Sequence, residues 1–508
     1  MSRNLELTAA DGGSGLVALA SSTIFGSVSA DRIYGGDVEE LIFGGAGDDV
    51  LFGGSGEDTQ YGGPGNDQVY GESGSDLLYG NTNDDRIFGG SAVDSLFGGS
   101  GIDALYGDSG ADQLRGNSAV DTLFGGLGND RLFGGEGDDR LDGGEGRDRF
   151  VGGSGEDLVL GGNGNDLLNG GSGVDFMSGG LGNDTFIVDD FRDVLDELLD
   201  QGDRDVARIN TTFFQLADDE FLGKVEVLIA NEAAGAALLI GNNSDNTIIG
   251  NDDDNRLLGL DGDDIMNGKG GADGMFGRSG DDTFVVDTAS DGVEERAGEG
   301  TDLVRAEVSF TLPDGGARDF VENLRLQGGF GSINGGGNSL ENRIQGNEGD
   351  NDLHGFAGDD HLSGGSGDDR LFGNKGADRL EGETGNDTLV LGSGDVAFGG
   401  AGADEFRFRG EDLGEEGSGG PVIRDFDGAF LGSGAGEDQL VFLTGVEAGS
   451  FDYIRGQAFS GSGNSEARFA GGRQVQVDRD GDGSADIAFE MSGLSRAGQL
   501  TASDFLFL

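Results

Sequence analysis

From Gly26 to Ile187 the chain repeats every nine residues with no break in register, giving eighteen units that hold three positions in phase. The first position is glycine throughout, from Gly26, Gly35 and Gly44 to Gly179. The sixth is Asp31, Asp49, Asp58, Asp67, Asp76, Asp85, Asp94, Asp103, Asp112, Asp121, Asp130, Asp139, Asp148, Asp157, Asp166, Asp175 and Asp184, with Glu40 as the one departure. The eighth is apolar from Ile33 to Phe186 except at Gln60. A unit this short owns one large apolar side chain and cannot bury it alone, so the chain must stack unit upon unit.

Two shorter arrays obey the same rule. One runs from Gly241 to Val285, with sixth positions Asn246, Asn255, Asp264, Asp273 and Asp282. The other begins at Gly337, with Asn342, Asn351, Asp360, Asp369, Asp378 and Asp387, and after a short unit a last repeat carries Asp404 and ends at Arg407. Asparagine stands in for aspartate at the head of each of these arrays. Glycines at positions one, two and four allow a tight loop whose carbonyl oxygens curl inward. The carboxylate at position six joins them, giving an oxygen cage suited to calcium. In the following x-U-x, where U is the apolar residue, side chains alternate, so U points inward and its neighbours outward.

The charge agrees with that chemistry. There are 97 acidic and 31 basic residues, a formal net charge of -66, which excludes nucleic acid and anionic membrane surfaces as natural partners. The 107 glycines come with only 3 prolines, so they are neither collagen-like nor a linker once their period is recognised. No cysteine is present, which removes disulfides and thiolate metal sites. No run of apolar residues reaches membrane-spanning length, so no membrane insertion is expected, and residues 1–25 carry no clear signal peptide.

The motif G-G-x-G-x-D-x-U-x resembles the repeats-in-toxin (RTX, hemolysin-type calcium-binding) family. The resemblance implies an all-β, right-handed parallel β-roll or β-helix solenoid with a C-terminal β-rich cap. Two repeats make one turn, and calcium sits between a loop and the next loop but one, on the aspartates named above. Counting stacked loops sets a ceiling of about 23 ions, which would reduce the formal charge to about -20. On this scheme Asp148 has a loop on either side, whereas Asp184 is the end of its stack.

The expected layout is a lead-in (1–25), the first array (26–187), a spacer (188–240), the second array (241–285), a second spacer (286–336), the third array (337–407) and a cap (408–508). The spacers are duplicates: Asp205-Val-Ala-Arg208 matches Asp302-Leu-Val-Arg305, and Val225-Glu-Val-Leu228 matches Val321-Glu-Asn-Leu324. They are expected to continue the solenoid with wider, calcium-poor turns, with a helical turn at 194–199. From Asp404 onward, strand-like segments ending in Asp504-Phe-Leu-Phe-Leu508 resemble the C-terminal domain of serralysin-type proteases, which implies an uncleaved signal for a type I exporter and an extracellular destination. Asp478, Asp480, Asp482 and Asp486 resemble half an EF-hand loop, for which a hairpin turn is the plainer alternative.

Catalysis is not expected. No H-E-x-x-H, G-x-S-x-G or phosphate-loop motif occurs, and the only histidines, His354 and His361, fall on outward strand positions. Position nine is aromatic in eleven of the twelve units from Tyr34 to Phe133, Arg115 being the exception, so two outward aromatic ladders should form. The expected function is a secreted calcium-binding protein of a matrix or surface. The alternative is an adhesin that uses the ladders to bind polysaccharide or to self-associate.

Overall fold

The computed structural model describes residues 5–6, 16–17, 23–197, 204–216, 225–317, 319–408, 420–425, 438–442, 452–453, 466–471, 474–478, 487–491 and 505–507. They form two compact units, Met1–Arg256 and Leu257–Leu508. Both are stacks of short parallel strands, a β-solenoid, and the one helix among the described residues is a single 3₁₀ turn at Glu232–Ala234.

In the first unit, strands of mostly six residues recur every nine, as in Val50–Ser55 and Thr59–Pro64. Each pairs with the strand eighteen residues away, Leu51 opposite Val69 and Leu78 opposite Leu96, so alternate repeats feed opposite walls. Eleven strands from Leu16–Val17 to Val194–Asp196 make one wall. The interior is the column of eighth positions: Ile24, Ile33, Ile42, Leu51 and onward to Met177 and Phe186 are at most 1% exposed. One such side chain contributes about 1.5–3 kcal/mol per repeat, while ordering each backbone residue costs about 1–2 kcal/mol. The apolar column alone does not hold the roll together.

The spacers keep the strand register and lengthen the loops. Thr185 pairs with Val206 and Val206 with Val227, a turn of 21 residues, and in the second unit Phe310 pairs with Gly335 across 25. Phe186, Ala207 and Leu228 continue the inner column. The helical turn expected at 194–199 is not formed where it is described. Val194–Asp196 is a strand opposite Phe176–Ser178, because Leu195 takes the inward place of an eighth position. Beyond 408, Gln474–Asp478 pairs antiparallel with Glu466–Gly471 and with Ile487–Met491. Asp480, Asp482, Asp486 and Asp504 lie outside the described residues. Phe505–Phe507 pairs with Leu440–Phe442.

Both aromatic ladders form. Phe25, Phe43, Tyr61, Tyr79 and Phe97 stack at 4.7–5.1 Å between centroids, and Tyr34, Phe52, Tyr70, Phe88, Tyr106 and Phe124 at 4.7–5.0 Å, with ring planes within 14° of parallel. Arg115 is tolerated because its planar guanidinium lies 4.6 Å from the Phe133 ring. His354 stacks on Phe372 at 4.4 Å, and His361 bonds to Glu381 at 2.9 Å.

Gln60 is the polar interruption of the first unit's inner column. It is fully buried; its Nε2 donates to Tyr70 O at 2.8 Å, while its Oε1 accepts nothing. Gln60→Leu should therefore stabilise the calcium-saturated protein by about 1–2 kcal/mol. An unchanged or lower melting temperature would contradict this account.

Candidate metal centre

Position six sets the spacing of the turns. Asp139 accepts at Oδ1 from the backbone N–H of Asp121 (2.7 Å), and its own N–H donates to Asp157 Oδ1 (2.8 Å). The same bond, 2.7–2.9 Å long, links each aspartate to the next but one from Asp49 to Asp184. The second oxygen is treated differently. From Asp49 to Asp175, each residue at most 3% exposed, Oδ2 is buried and accepts no hydrogen bond. Asp282, Asp360, Asp369, Asp378, Asp387 and Asp404 repeat this in the second unit. A buried carboxylate oxygen without a donor is too costly to leave uncompensated.

Around Asp139 the neighbouring oxygens converge. A Cβ placed on Gly134 would lie 2.3 Å from Asp139 Oδ2 and 2.5 Å from Gly152 O, so the absent methyl is a cradle between them. At Gly137, with φ +131°, a Cβ would lie 2.1 Å from Ala119 O, which shows how closely successive loops approach. The donors are carboxylate and carbonyl oxygens alone, the set that a hard cation such as calcium takes. When bound, the ion supplies the positive charge that the orphaned oxygens lack.

Burial raises these carboxyls, and nearby carboxylates raise them further, along the ladder at Asp85, Asp121 and Asp166 and from the adjacent Asp138 at Asp139. Asp85 and Asp121 are pushed up to about 8, Asp49, Asp112 and Asp166 to about 7, and Asp139 to about 6. An unfolded aspartate titrates near 3.9. The folded values are higher, so protonation favours the metal-free roll: its contribution is full below about pH 4 and is lost as pH rises through 6 to 8.

The array heads are built otherwise. Asp31 spends Oδ2 on the N–H (2.6 Å) and Oγ (2.7 Å) of Ser27, so it is not an orphan like its successors. At the heads of the second and third arrays, position-six asparagines accept from the position-two N–H: Asn246 from Asn242 (2.8 Å) and Asn342 from Asn338 (2.7 Å). Asn251 donates Nδ2 to Asn231 O (3.0 Å) and Gly235 O (2.9 Å), and Asn347 does the same to Gln327 O (2.9 Å) and Gly331 O (3.0 Å). An amide N–H there binds carbonyl oxygens without any cation.

The ladder does not stop at Asp184, contrary to the expectation from the repeat boundary. Asp184 N–H donates to Asp205 Oδ1 (2.7 Å), Asp175 to Asp193 (3.1 Å), Asp273 to Asp291 (3.1 Å) and Asp282 to Asp302 (2.9 Å). Asp264 donates to Asp282 (2.8 Å), Asp378 to Asp395 (3.0 Å) and Asp404 to Asp438 (3.0 Å). The residues the repeat pattern missed share one local signal, an acid two residues before an inward apolar side chain, as in Asp205-Val-Ala207 and Asp395-Val-Ala397. The loops before Asp205, Asp302, Asp395 and Asp438 depart from the nine-residue spacing, even where glycines remain, as Gly298 and Gly300 before Asp302 and Gly434 and Gly436 before Asp438.

Two outcomes test this geometry. Gly134→Ala fills the cradle at a position with no left-handed φ, so a calorimetric calcium titration should count at least one ion fewer with the β signal at saturation retained; an unchanged count would refute the cradle. Calcium-free protein should show more β signal at pH 5 than at pH 8, and calcium uptake at pH 7 should release protons. A pH-independent circular dichroism spectrum would contradict the burial of these carboxyls.

The model of the RTX calcium-binding nonapeptide repeat, four copies to a match, fits residues 41–60, overlapping stretches from 61 to 186, then 240–284 and 336–395. No curated protein matches the chain. Over those segments, the chain is an array of RTX calcium-binding nonapeptide repeats.

Proposed function

We propose that this protein is secreted by a type I exporter and folds outside the cell by loading calcium onto its position-six aspartates, where it serves a structural, non-catalytic role in a matrix or surface layer. The observation that carries this reading is the unbroken column of buried Oδ2 atoms without donors from Asp49 to Asp175. At neutral pH and above, a roll with so thin an apolar column and so many unmatched carboxylates needs cations to be stable. In a calcium-poor cytoplasm the chain would stay open for export, and millimolar calcium outside would close it. The ion ceiling of about 23 belongs to the same proposal.

The aromatic ladders support a structural role over sugar binding. Rings stacked face to face at about 5 Å spend their faces on one another and offer only edges outward. A polysaccharide platform needs free ring faces.

Far-ultraviolet circular dichroism during a calcium titration tests the folding claim: the β signal should rise with calcium and vanish in excess chelator at pH 8, and a spectrum indifferent to calcium would refute it. Deleting Asp504–Leu508 tests export. The truncated chain should remain inside an otherwise competent cell, and normal secretion would show the signal to lie elsewhere.

A further inference from the structure

Each spacer contributes buried carboxylates at a place where the nine-residue rule calls for a backbone carbonyl. In a regular repeat, the position-one glycine faces its own loop's aspartate and the carbonyl of the glycine one turn on. The Cβ position of Gly161 lies 2.6 Å from Asp166 Oδ2 and 2.4 Å from Gly179 O. One turn beyond Gly179 stands Glu197, in the register set by Ser178 opposite Asp196. Its Oε1 takes the carbonyl's place, 2.2 Å from the Gly179 Cβ position, with Asp184 Oδ2 at 2.4 Å.

The second spacer repeats the substitution residue for residue. Phe276 opposite Glu294 sets Gly277 against Glu295, and the Cβ position of Gly277 lies 2.1 Å from Asp282 Oδ2 and 2.2 Å from Glu295 Oε1. Glu197 and Glu295 are 2% and 1% exposed. A third carboxylate neighbours each pair: Asp205 accepts from Asp184 N–H, and Asp302 from Asp282 N–H. In the first unit, ligand atoms of Asp184, Glu197 and Asp205 all lie within 4.8 Å of one another. In the second, Asp282 is 1% exposed and its Oδ2 accepts no hydrogen bond. Glu295 accepts from Gly277 N–H (2.6 Å) and Arg278 N–H (3.0 Å). Burial, Asp302 and Asp282 together push it up to about 8.

We propose that each spacer carries a further divalent-cation site, formed by Asp184, Glu197 and Asp205 in the first unit and by Asp282, Glu295 and Asp302 in the second, with the glutamate replacing the carbonyl oxygen of the repeats. The ligand class is a hard, calcium-sized cation, and the proposal rests on the calcium-binding reading above. Exchanging a neutral carbonyl for a carboxylate adds a full negative charge to the donor set. Ligand charge is one of the factors that tighten calcium sites, so these two fill before the repeats do. They would give the turns beside each spacer an ordered edge on which the weaker sites assemble.

Equilibrium dialysis of the full chain against radioactive calcium separates the possibilities. Wild type should bind two ions at least tenfold more tightly than the rest. Glu295→Gln should lose one of them and the Glu197→Gln/Glu295→Gln double variant both, with an unchanged β signal at saturating calcium, because glutamine keeps an acceptor for the N–H groups that the glutamates accept from, Gly180 at Glu197 (3.1 Å) and Gly277 at Glu295 (2.6 Å). A double variant that retains the tight pair would overturn the proposal. So would wild-type uptake in a single affinity class, a result that needs no variant to fold and leaves the broader reading intact. Absence of any calcium uptake by wild type would overturn both.

Discussion

The aspartate at position six divides its two oxygens between two tasks, and the roll depends on that division. Oδ1 receives a backbone N–H from the previous turn, as Asp139 does from Asp121, which fixes the eighteen-residue register from one turn to the next. Once Oδ1 is fixed, Oδ2 has no freedom to reach solvent and is left buried against glycine. The same bond that aligns the turns therefore stacks like charges a turn apart in a poorly solvated column. Neutralising them takes protons or cations, and at neutral pH cations are the effective choice.

This explains which departures from the motif are tolerated. Asn342 and Asn351 accept at Oδ1 from the N–H of their own loop's Asn338 and Asn347 and turn the amide N–H to the preceding turn, to Glu322 O and Ile333 O, so they bury no charge and need no ion. They stand where the preceding turn belongs to a spacer and no regular loop lies behind them. Glu40 keeps a carboxylate, and its N–H still donates to Asp58 Oδ1 at 2.7 Å. Position nine obeys a looser rule, since any planar group that stacks will serve, and Arg115 does so beside Phe133.

The arrays were legible in sequence because glycine, aspartate and the apolar residue hold phase together, and any one of them alone would have been lost among 107 glycines and 97 acids. The stacking of Tyr61 on Tyr79 followed from the same period, since every second repeat returns to the same wall. Asp205, Asp302, Asp395 and Asp438 were not legible, because their turns are 17, 20, 21 or 34 residues long rather than 18 and so fall out of phase with the repeat. What survives in them is the acid two places before an inward residue, a three-residue pattern too common to recognise without its neighbours in space. The strand at Val194–Asp196 was missed for the same reason: Asp193-Val-Leu195 is that triplet, read in isolation as part of a short helical pattern.

The spacers show which part of the repeat is indispensable. Between Asp184 and Asp205 the loop grows from 18 to 21 residues per turn, yet the N–H to Oδ1 bond stays at 2.7 Å and the strands remain paired. Lengthening a loop whose ends are already held costs little, because closure entropy grows only logarithmically with length. Losing the acid would remove both the register bond and a cation ligand. Hence the length of the loop varies along this chain far more than the acid and the inward side chain, whose departures are few, and the solenoid takes insertions where the acid two places before the inward residue is kept.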